Sequence, residues 1–535
     1  MELTRKQIIL NCEQLERRFA LLAGGRLEEY IVERENNDVK PGAIYLGKIV
    51  NLEPSLQAAF VDIGAEKNAF LHYSDIIDGS DDVIERQDDL IKVKNRESDK
   101  KRSDKLEAIT AEAKNRKKHK FTVNNIPEYF KPGTELLVQV VKGPIGTKGA
   151  RVSTNLSIAG RYLVILPYSA HIGLSTKIED KAERDRLKKI LNDLEVPEGV
   201  GLICRTVGEG RKAIFFKRDL KILLDYWDSI EDKISRCQAP VCVYEEPNLI
   251  ERTARDFMTE EIGGILVDDK NAFSIIRSML RKHGGLKMGA KVKHYTGKDP
   301  IYEYYNVDKQ LSQLLKREVS LPSGGYICID ETEALIAIDV NSGRIGSNKK
   351  IEHPELILRT NLEAAEEIAR QLRLRNVGGL VVIDFIDMRT QKDREEVYKT
   401  MKKFAKEDSA KTKVIPISKF GLMEMTRQRE VESLSSSIFS TCPYCGGSGH
   451  VMSPESMSVA IQRKLTELLK NSKYKKTPFR LIMHPDILAR LKNEDSHILS
   501  EIEEKYHHDL TFRADPAMHC EEFKILDAVT LMELN

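Results

Sequence analysis

The sequence predicts a multidomain protein that combines α/β and α+β structure. Its 535 residues exceed what one hydrophobic core usually supports, and a domain size of about 150 residues predicts three or four domains. A cluster of short strand patterns near the N-terminus predicts a small barrel. Two long apolar strands with a helix between them predict a strand, helix, strand unit further along the chain.

The N-terminal part carries the barrel pattern. A hairpin pattern over residues 19–32 turns at Gly24 and Gly25. Short strand patterns then follow at residues 44–50, 58–64, 68–72 and 134–141. The interruption, about residues 78–132, is rich in charged residues. It is either a solvated loop or an arm that contacts phosphates, and the sequence leaves both interpretations open.

Two aromatic residues and a lysine mark the predicted barrel. Phe60 and Phe70 lie on consecutive strands, and Lys148 lies in a glycine-flanked turn after a later strand. Exposed aromatic rings beside a lysine are typical of the surface with which small barrels bind single-stranded nucleic acid, by base stacking and phosphate contact. The alternative is that both phenylalanines pack inside the barrel, and the pattern does not decide between them.

A possible anion pocket follows the barrel. A strand over residues 201–204 leads to Arg205 and Thr206, and glycines follow at 208 and 210. Arginine grips phosphate with two hydrogen bonds, and a hydroxyl group and backbone amides complete such a site. An ordinary strand end with a surface arginine is the alternative interpretation.

The two apolar strands each end on an aspartate. Residues 334–339 end at Asp339, and residues 379–384 end at Asp384. Between them, Thr360 and Glu363 have the spacing of a helix capping box, followed by one apolar stripe. If the strands are parallel neighbours, both carboxylates lie at the same edge of the sheet. The sequence therefore predicts a magnesium site at this edge.

A second metal site is predicted near the C-terminus. Cys442 and Cys445 are the only two of the eight cysteines at close ligand spacing, and glycines follow them. Structural zinc has four ligands, so a second copy of the chain is the simplest source of the other two. His450 or Cys520 as a third ligand from the same chain, or a free dithiol, are the alternatives.

Charge and hydropathy restrict the possible binding partners and the cellular location. The 85 basic and 83 acidic residues give a formal net charge of +2, so nucleic-acid affinity must come from local patches. No run approaches the roughly 20 apolar residues that span a bilayer, and no signal peptide is recognisable. These observations predict a cytoplasmic protein without an integral membrane segment.

The motifs resemble those of the bacterial ribonuclease E/G family, and the length is closer to its shorter G type. The resemblance spans most of the chain and rests on residues 53–56, 58–62, 295–297, 317–319, 321–325, 339–342, 360–365, 368–375, 378–379, 382–388, 421–425 and 442–445. It implies an endoribonuclease that cuts single-stranded RNA in rRNA and tRNA processing and in mRNA decay. Its products would carry 5′-phosphate and 3′-hydroxyl ends, and a 5′-monophosphate on the substrate would stimulate it. A non-catalytic RNA-binding scaffold is the alternative.

The resemblance also implies the roles of particular residues. Asp339 and Asp384 match the Mg²⁺ ligands, and Asn341 matches a residue that orients the catalytic carboxylate. The matching positions for the other sites are Phe60, Phe70 and Lys148 for RNA binding, and Gly160, Val164, Arg205 and Thr206 for the 5′-phosphate sensor. Cys442 and Cys445 match the ligands of a Zn²⁺ ion shared between subunits of a homodimer, with further pairing into a tetramer left open.

The implied architecture has seven segments. An RNase H-like subdomain is split by an OB-fold domain and a 5′-sensor, and a DNase I-like catalytic domain, a zinc link and a small C-terminal domain follow. The boundaries are 1–38 and 251–314 for the RNase H-like parts, 39–154 for the OB-fold, 155–250 for the sensor, 315–438 for the catalytic domain, 439–452 for the zinc link and 453–535 for the C-terminal domain.

Overall fold

The computed structural model describes residues 6–34, 39–77, 126–144, 148–169, 171–259, 261–332, 334–343, 353–428, 433–471, 474 and 477–534. Most of the charged interruption predicted at 78–132 lies outside the described residues. The chain forms two compact units, Met1–Ser437 and Ile438–Asn535. Mixed α/β structure, several sheets and a small barrel confirm the predicted fold class at this level.

The first unit opens with three antiparallel strands. The turn between the second and third lies at Gly24 and Gly25, as predicted. The first strand has the consecutive apolar residues Ile8, Ile9 and Leu10, all fully buried because both faces of the sheet are covered. The strands are β1 (Lys6–Cys12), β2 (Glu16–Ala23) and β3 (Arg26–Arg34).

The predicted barrel comes next. Five strands form a closed ring in the order β4-β5-β6-β8-β7, because β7 also pairs with β4. Alternate residues such as Ala59, Val61 and Leu71 fill its interior. Its elements are β4 (Ile44–Glu53), β5 (Ala58–Asp62), β6 (Ala69–His72), α1 (Ser74–Ile77), α2 (Ile126–Tyr129), β7 (Glu135–Lys142) and β8 (Arg151–Ser153).

A four-stranded sheet with two helices follows the barrel. Its strand order is β11-β12-β10-β9, and Phe216 and Trp227 of the longer helix pack in its core. The elements are β9 (Ile158–Ala159), β10 (Leu163–Leu166), β11 (Ile172–Leu174), α3 (Lys181–Asn192), β12 (Gly201–Cys204) and α4 (Ala213–Arg236). Another strand, β13 (Val241–Tyr244), adds to the edge of the barrel beside β4.

The chain then returns to the first sheet. Two more strands extend it in the order β15-β14-β1-β2-β3, with β14 parallel to β1. Segments more than 200 residues apart in sequence therefore share one sheet. The elements are α5 (Leu249–Arg252), β14 (Ile262–Val267), α6 (Lys270–Gly289), β15 (Val292–His294), α7 (Ile301–Tyr304) and α8 (Val307–Leu314).

A six-stranded mixed sheet with helices on one face completes the first unit. Its order is β16-β17-β18-β19-β21-β20, and β18 and β19 are parallel. The elements are β16 (Glu318–Ser320), β17 (Tyr326–Glu331), β18 (Leu335–Asn341), α9 (His353–Leu374), β19 (Gly379–Asp384), α10 (Gln391–Ala405), β20 (Thr412–Val414), β21 (Leu422–Arg427) and α11 (Leu434–Ile438).

The capping box predicted in this region is wrong. Helix α9 begins at His353, so Thr360 lies in its interior and is buried. Thr360 and Glu363 instead face the loop before β17, where the amide of Ser323 donates a 2.7 Å hydrogen bond to Oε2 of Glu363. The three-residue spacing that suits a capping box also places two side chains on one helix face, and here both side chains contact the loop before β17.

The second unit is a small α/β fold. Its three-stranded sheet has the order β23-β22-β24, with β22 and β23 parallel. The sequence of residues 456–469 predicts a helix and that of residues 479–483 predicts a strand; both are present, as α12 and β22. The elements are α12 (Pro454–Lys470), β22 (Phe479–Met483), α13 (Pro485–Asn493), α14 (Ser496–Tyr506), β23 (Leu510–Ala514) and β24 (Phe523–Asp527). Among the described helices, none is both long enough and apolar enough to span a membrane.

Candidate functional site

Asp339 and Asp384 lie side by side at one edge of the six-stranded sheet. They are opposite each other in the parallel register of β18 and β19. Neighbouring strands are about 4.8 Å apart, and register partners point to the same face. Both aspartates are exposed, whereas Ile338 and Ile383 are buried on the opposite face. The predicted strand, helix, strand topology is confirmed, and it brings the two carboxylates together.

Asn341 shares this face with Asp339, because residues two apart on a strand point the same way. Its Nδ2 donates a 2.6 Å hydrogen bond to Oδ2 of Asp339. This hydrogen bond holds the carboxylate in one orientation. The sequence-predicted trio of Asp339, Asn341 and Asp384 is therefore one cluster in the structure.

The acidic edge is suited to a cation. Partial desolvation of the carboxyl group, and then the negative charges of Asp339 and Asp387, raise the pKa of Asp384 although the residue is exposed. A divalent ion relieves such repulsion between carboxylates. Mg²⁺ takes oxygen ligands and usually keeps several waters, so one or two carboxylates are sufficient. Within the described ranges no three His, Cys, Asp or Glu side chains converge on one point. The two carboxylates at this edge therefore fit an ion that keeps most of its coordinated waters.

Asn361 is a site residue that sequence reasoning missed. It is fully buried in α9; its Nδ2 donates to the carbonyl oxygen of Ile386 at 2.8 Å, and its Oδ1 accepts from the Ile386 amide at 3.1 Å. These bonds fix the segment after β19 that carries Asp387. A polar residue within the apolar stripe of a helix was the available signal.

The two barrel phenylalanines lie outside the barrel core. Phe60 and Phe70 are register partners on β5 and β6, and their rings contact edge to face at a centroid distance of 6.1 Å. Both are half-buried, while Ala59, Val61 and Leu71 beside them fill the interior. Packing of both rings inside the barrel, the alternative considered above, is wrong.

Lys148 is exposed and lies close to the start of β6. The backbone of Gly149 passes so close to Asn68 that an added Cβ would lie 2.2 Å from the Asn68 carbonyl oxygen. Phe70 follows two residues later and its amide donates to the Ala150 carbonyl oxygen. The lysine thus lies three residues before β8, whose first residue, Arg151, is the register partner of Phe70. Residues 145–147 of its turn lie outside the described residues.

The predicted anion-pocket residues form one neighbourhood. Arg205 follows the end of β12, and its Nη1 donates a 2.5 Å hydrogen bond to the carbonyl oxygen of Gly160. Val164 on β10 is the register partner of Ile203, two residues before Arg205. Thr206 begins the 3₁₀ turn that follows. All four predicted residues, Gly160, Val164, Arg205 and Thr206, are therefore close together.

Arg205 already has an anionic partner. Its Nη1 lies 2.7 Å from Oδ1 of Asp256, and Nη2 of Arg255 lies 2.9 Å from the other carboxylate oxygen. Burial alone would raise the pKa of Asp256, but the hydrogen bond and charge of Arg255 and then of Arg205 lower it. An anion that bound Arg205 would therefore compete with the Asp256 carboxylate for its guanidinium group. Sequence analysis did not identify Asp256, because it lies far from Arg205 along the chain.

Cys442 and Cys445 lie in the turns before α12. The backbone amides of Gly449 and Gly447, and then the Cys442 side chain, lower the pKa of the Cys445 thiol. Amides that face a sulfur stabilise the thiolate that zinc requires. His450 and Cys520 join no three-ligand group with this pair in the described part of the chain. The pair also lies nine residues before the helix, unlike a redox dithiol at a helix start.

Comparison with known proteins gives relatives over nearly the whole chain. The model of the Ribonuclease E/G family matches residues 157–430, and that of the RNase E/G thioredoxin-like domain matches 441–528. Ribonuclease G of Escherichia coli K12 is 34% identical over 97% of this chain and 99% of its own length. Ribonuclease E of Haemophilus influenzae is 38% identical over 99% of this chain, which covers 53% of that protein. The chain therefore belongs to the ribonuclease E/G family.

Proposed function

We propose that this chain is a Mg²⁺-dependent endoribonuclease that hydrolyses single-stranded RNA at Asp339 and Asp384. Membership of the family identifies it as an endoribonuclease rather than a non-catalytic scaffold. The observation that carries the magnesium proposal is the register of β18 and β19, which places the two carboxylates opposite each other at an exposed sheet edge.

The chain's own residues would position the reaction. Asp339 and Asp384 would hold the ion, and Asn341 would keep the Asp339 carboxylate oriented. Bound Mg²⁺ lowers the pKa of a coordinated water and neutralises charge on the phosphate. Both acids stand on paired strands, so their separation is set by the sheet and does not depend on a loop.

The proposed products follow from water as the nucleophile. Its oxygen forms the new bond to phosphorus, and the bond from phosphorus to the 3′-oxygen breaks. The fragments then carry a 5′-phosphate and a 3′-hydroxyl. No 2′-hydroxyl attack is involved, so a 2′-deoxy nucleotide at the cleavage position should still be cut.

RNA contacts away from the aspartates are assigned to the barrel and the anion pocket. Phe60 and Phe70 would stack on bases, and Lys148 would contact the phosphate backbone. Gly160, Val164, Arg205 and Thr206 would bind a 5′-monophosphate and so stimulate cleavage. Comparing one substrate with 5′-monophosphate and 5′-triphosphate ends tests this pocket directly.

The proposal also includes the oligomeric assembly, the biological role and the identity of the domains. Cys442 and Cys445 would hold one Zn²⁺ together with the same pair of a second copy, giving a homodimer with or without further pairing. We assign the protein to the cytoplasm, to rRNA and tRNA processing and to mRNA decay. The sheet that joins β1–β3 with β14 and β15 would be the split RNase H-like subdomain, the barrel the OB-fold, and the six-stranded sheet the DNase I-like domain, with the boundaries given above.

Cleavage of 5′-labelled single-stranded RNA tests the central proposal. We expect shorter labelled products with Mg²⁺, none with EDTA, and recovery when excess Mg²⁺ is added back. Ligation with an RNA ligase identifies the 5′-phosphate ends. Full cleavage in EDTA, or 2′,3′-cyclic phosphate products, would contradict the proposed chemistry.

A further inference from the structure

Phe420 is exposed to an unusual degree. The residue is 91% exposed, the highest value among the large hydrophobic residues that the structure describes. Phenylalanine brings a large apolar area, and its usual place is a core or an interface. The turn that carries Phe420 does not require an aromatic residue, because turns favour glycine, proline, asparagine, aspartate and serine. The ring therefore contributes nothing apparent to folding.

The turn lies next to the aspartate pair. Phe420 is at the tip of the β20–β21 hairpin, and Leu422 at the start of β21 is the register partner of Asp384. Phe420 is two residues from that partner, which is at most roughly 7 Å, the length of two residues of extended chain. A Cβ added at Gly421 would lie 3.7 Å from Oδ1 of Asp387, the residue whose charge raises the pKa of Asp384. The exposed ring thus borders the proposed cleavage site.

Backbone hydrogen bonds also hold the turn. The Ser418 amide donates to the Leu422 carbonyl oxygen at 2.8 Å, and the Gly421 amide donates to the Ser418 carbonyl oxygen at 3.1 Å. Gly421 has a φ of +85°, which favours glycine. A turn held in this way fixes the backbone position of Phe420, so binding would order little more than the ring itself.

We propose that Phe420 stacks on the RNA base next to the scissile phosphate, with the exposed Lys419 contacting the phosphate backbone. Every base has a face on which an aromatic ring can stack, and a lysine beside it suits the polyanion. Stacking here would hold the substrate so that the scissile phosphate meets Asp339 and Asp384. This inference rests on the proposed function and adds a binding and positioning residue to it.

The test measures stacking separately from cleavage. The measurement is the fluorescence of RNA that carries 2-aminopurine on one or the other side of the cleavage position. The RNA is bound to an Asp384→Asn chain, so that the RNA stays intact. We expect quenching of one of the two probes, loss of that quenching when Phe420→Ala is added, and retention with Phe420→Trp. With Asp384 intact, Phe420→Ala should lower kcat/KM by roughly five- to 150-fold, the range for losing one base stack. Phe420→Trp should restore it.

Tyr226→Ala is the matched control, because this aromatic residue on α4 is also exposed, at 52%. It should leave both the quenching and kcat/KM unchanged. Unaltered quenching in the Phe420→Ala chain would overturn the inference. So would a Phe420→Ala cleavage defect that is accompanied by loss of a dimer in sedimentation, because the ring would then serve contact between copies of the chain. Full cleavage by Asp384→Asn would instead contradict the proposed function, so the two failures are distinguishable.

Discussion

Asp256 is the anionic partner of Arg205 in the pocket proposed to bind a 5′-phosphate. Its carboxylate contacts Arg205 at 2.7 Å, in the place where an anionic ligand of Arg205 would compete. The ion pair is only partly buried, with about a quarter of each side chain exposed. Pairs with this much solvent exposure contribute roughly 0.2–1 kcal/mol, so a phosphate that bound Arg205 would displace Asp256 at a small cost in affinity.

We predict that Asp256→Asn increases the preference for 5′-monophosphorylated RNA by roughly two- to fivefold, since the substitution frees Arg205 from a charged competitor. The measurement is the ratio of kcat/KM for 5′-monophosphate and 5′-hydroxyl versions of one substrate. Arg205→Ala should remove the preference in either background. A smaller preference in Asp256→Asn would mean that Asp256 positions Arg205 and does not compete with its ligand.

Single residues differ in how far the sequence could predict them. Asp339 and Asp384 were predicted because each ends its own apolar strand, which is a local pattern. Asp256 and Asn361 were not, because their roles depend on partners far away in sequence, Arg205 and Ile386. A surface turn with phenylalanine at its tip, such as that of Phe420, has no periodicity that would mark it.

Helix α9 organises the sheet edge at the scale of secondary structure. Its buried Asn361 fixes the segment after β19, and its Glu363 holds the loop before β17 through the Ser323 amide. One helix therefore braces the chain on both sides of the strands that carry the aspartates. The geometry of the site depends on this element as much as on the strands.

Replacement of Asn361 should test that bracing. Asn361→Ala removes two hydrogen bonds and leaves the Ile386 backbone groups without those partners in a buried place, so we predict a loss of about 1–3 kcal/mol in the free energy of unfolding. Cleavage should also slow, because Asp387 would no longer be fixed. Urea denaturation and cleavage rates measure the two effects. Lys392→Ala, an exposed change on α10, should alter neither; an Asn361→Ala chain as stable and active as the wild type would contradict the role.

Element types followed from the sequence better than element boundaries did. The barrel strands and β18, β19 and β22 were predicted because alternating or continuous apolar runs are strong signals. A capping box at Thr360 would begin α9 at residue 361, eight residues after its actual start, because Thr360 and Glu363 satisfy a capping pattern while making tertiary contacts. Pairing of β14 with β1 could not follow from local patterns, and only the family resemblance implied it.

Across the first unit, ionic contacts join the N-terminal sheet to α9. Arg26 pairs with Glu367, Arg373 pairs with Glu28, and Arg370 donates to the carbonyl oxygen of Leu27. Glu29 lies in the same stretch of β3. Burial raises the pKa of Glu29 to about 7, although the charge of Arg373 lowers it. The junction therefore contains an acid that is largely protonated below neutral pH.

This acid makes stability depend on pH. Its folded pKa of about 7 exceeds the ordinary value of 4.5, so between these values the folded chain binds more protons than the unfolded chain. Stability must then fall as pH rises through this window. We predict that the free energy of unfolding of Glu29→Gln, taken relative to that of the wild type, is larger at pH 8 than at pH 5. The difference should be roughly 1–3 kcal/mol.

Urea denaturation of both chains at the two pH values checks this prediction. Glu66→Gln, which removes the same charge from an exposed position, is the control and should show no such difference. Equal effects of pH on the wild type and on Glu29→Gln would contradict the assignment.

The most direct test of the whole account is cleavage by Asp384→Asn in saturating Mg²⁺. The account predicts an intact circular dichroism spectrum, unchanged RNA affinity at the barrel, and a cleavage rate reduced by more than about a hundredfold, beyond what loss of an outer partner of a metal ligand costs. Asp185→Asn, the same change at an exposed position on α3, should cleave at the wild-type rate. A well-folded Asp384→Asn chain that cleaves as fast as the wild type would show that the paired aspartates are not the catalytic centre.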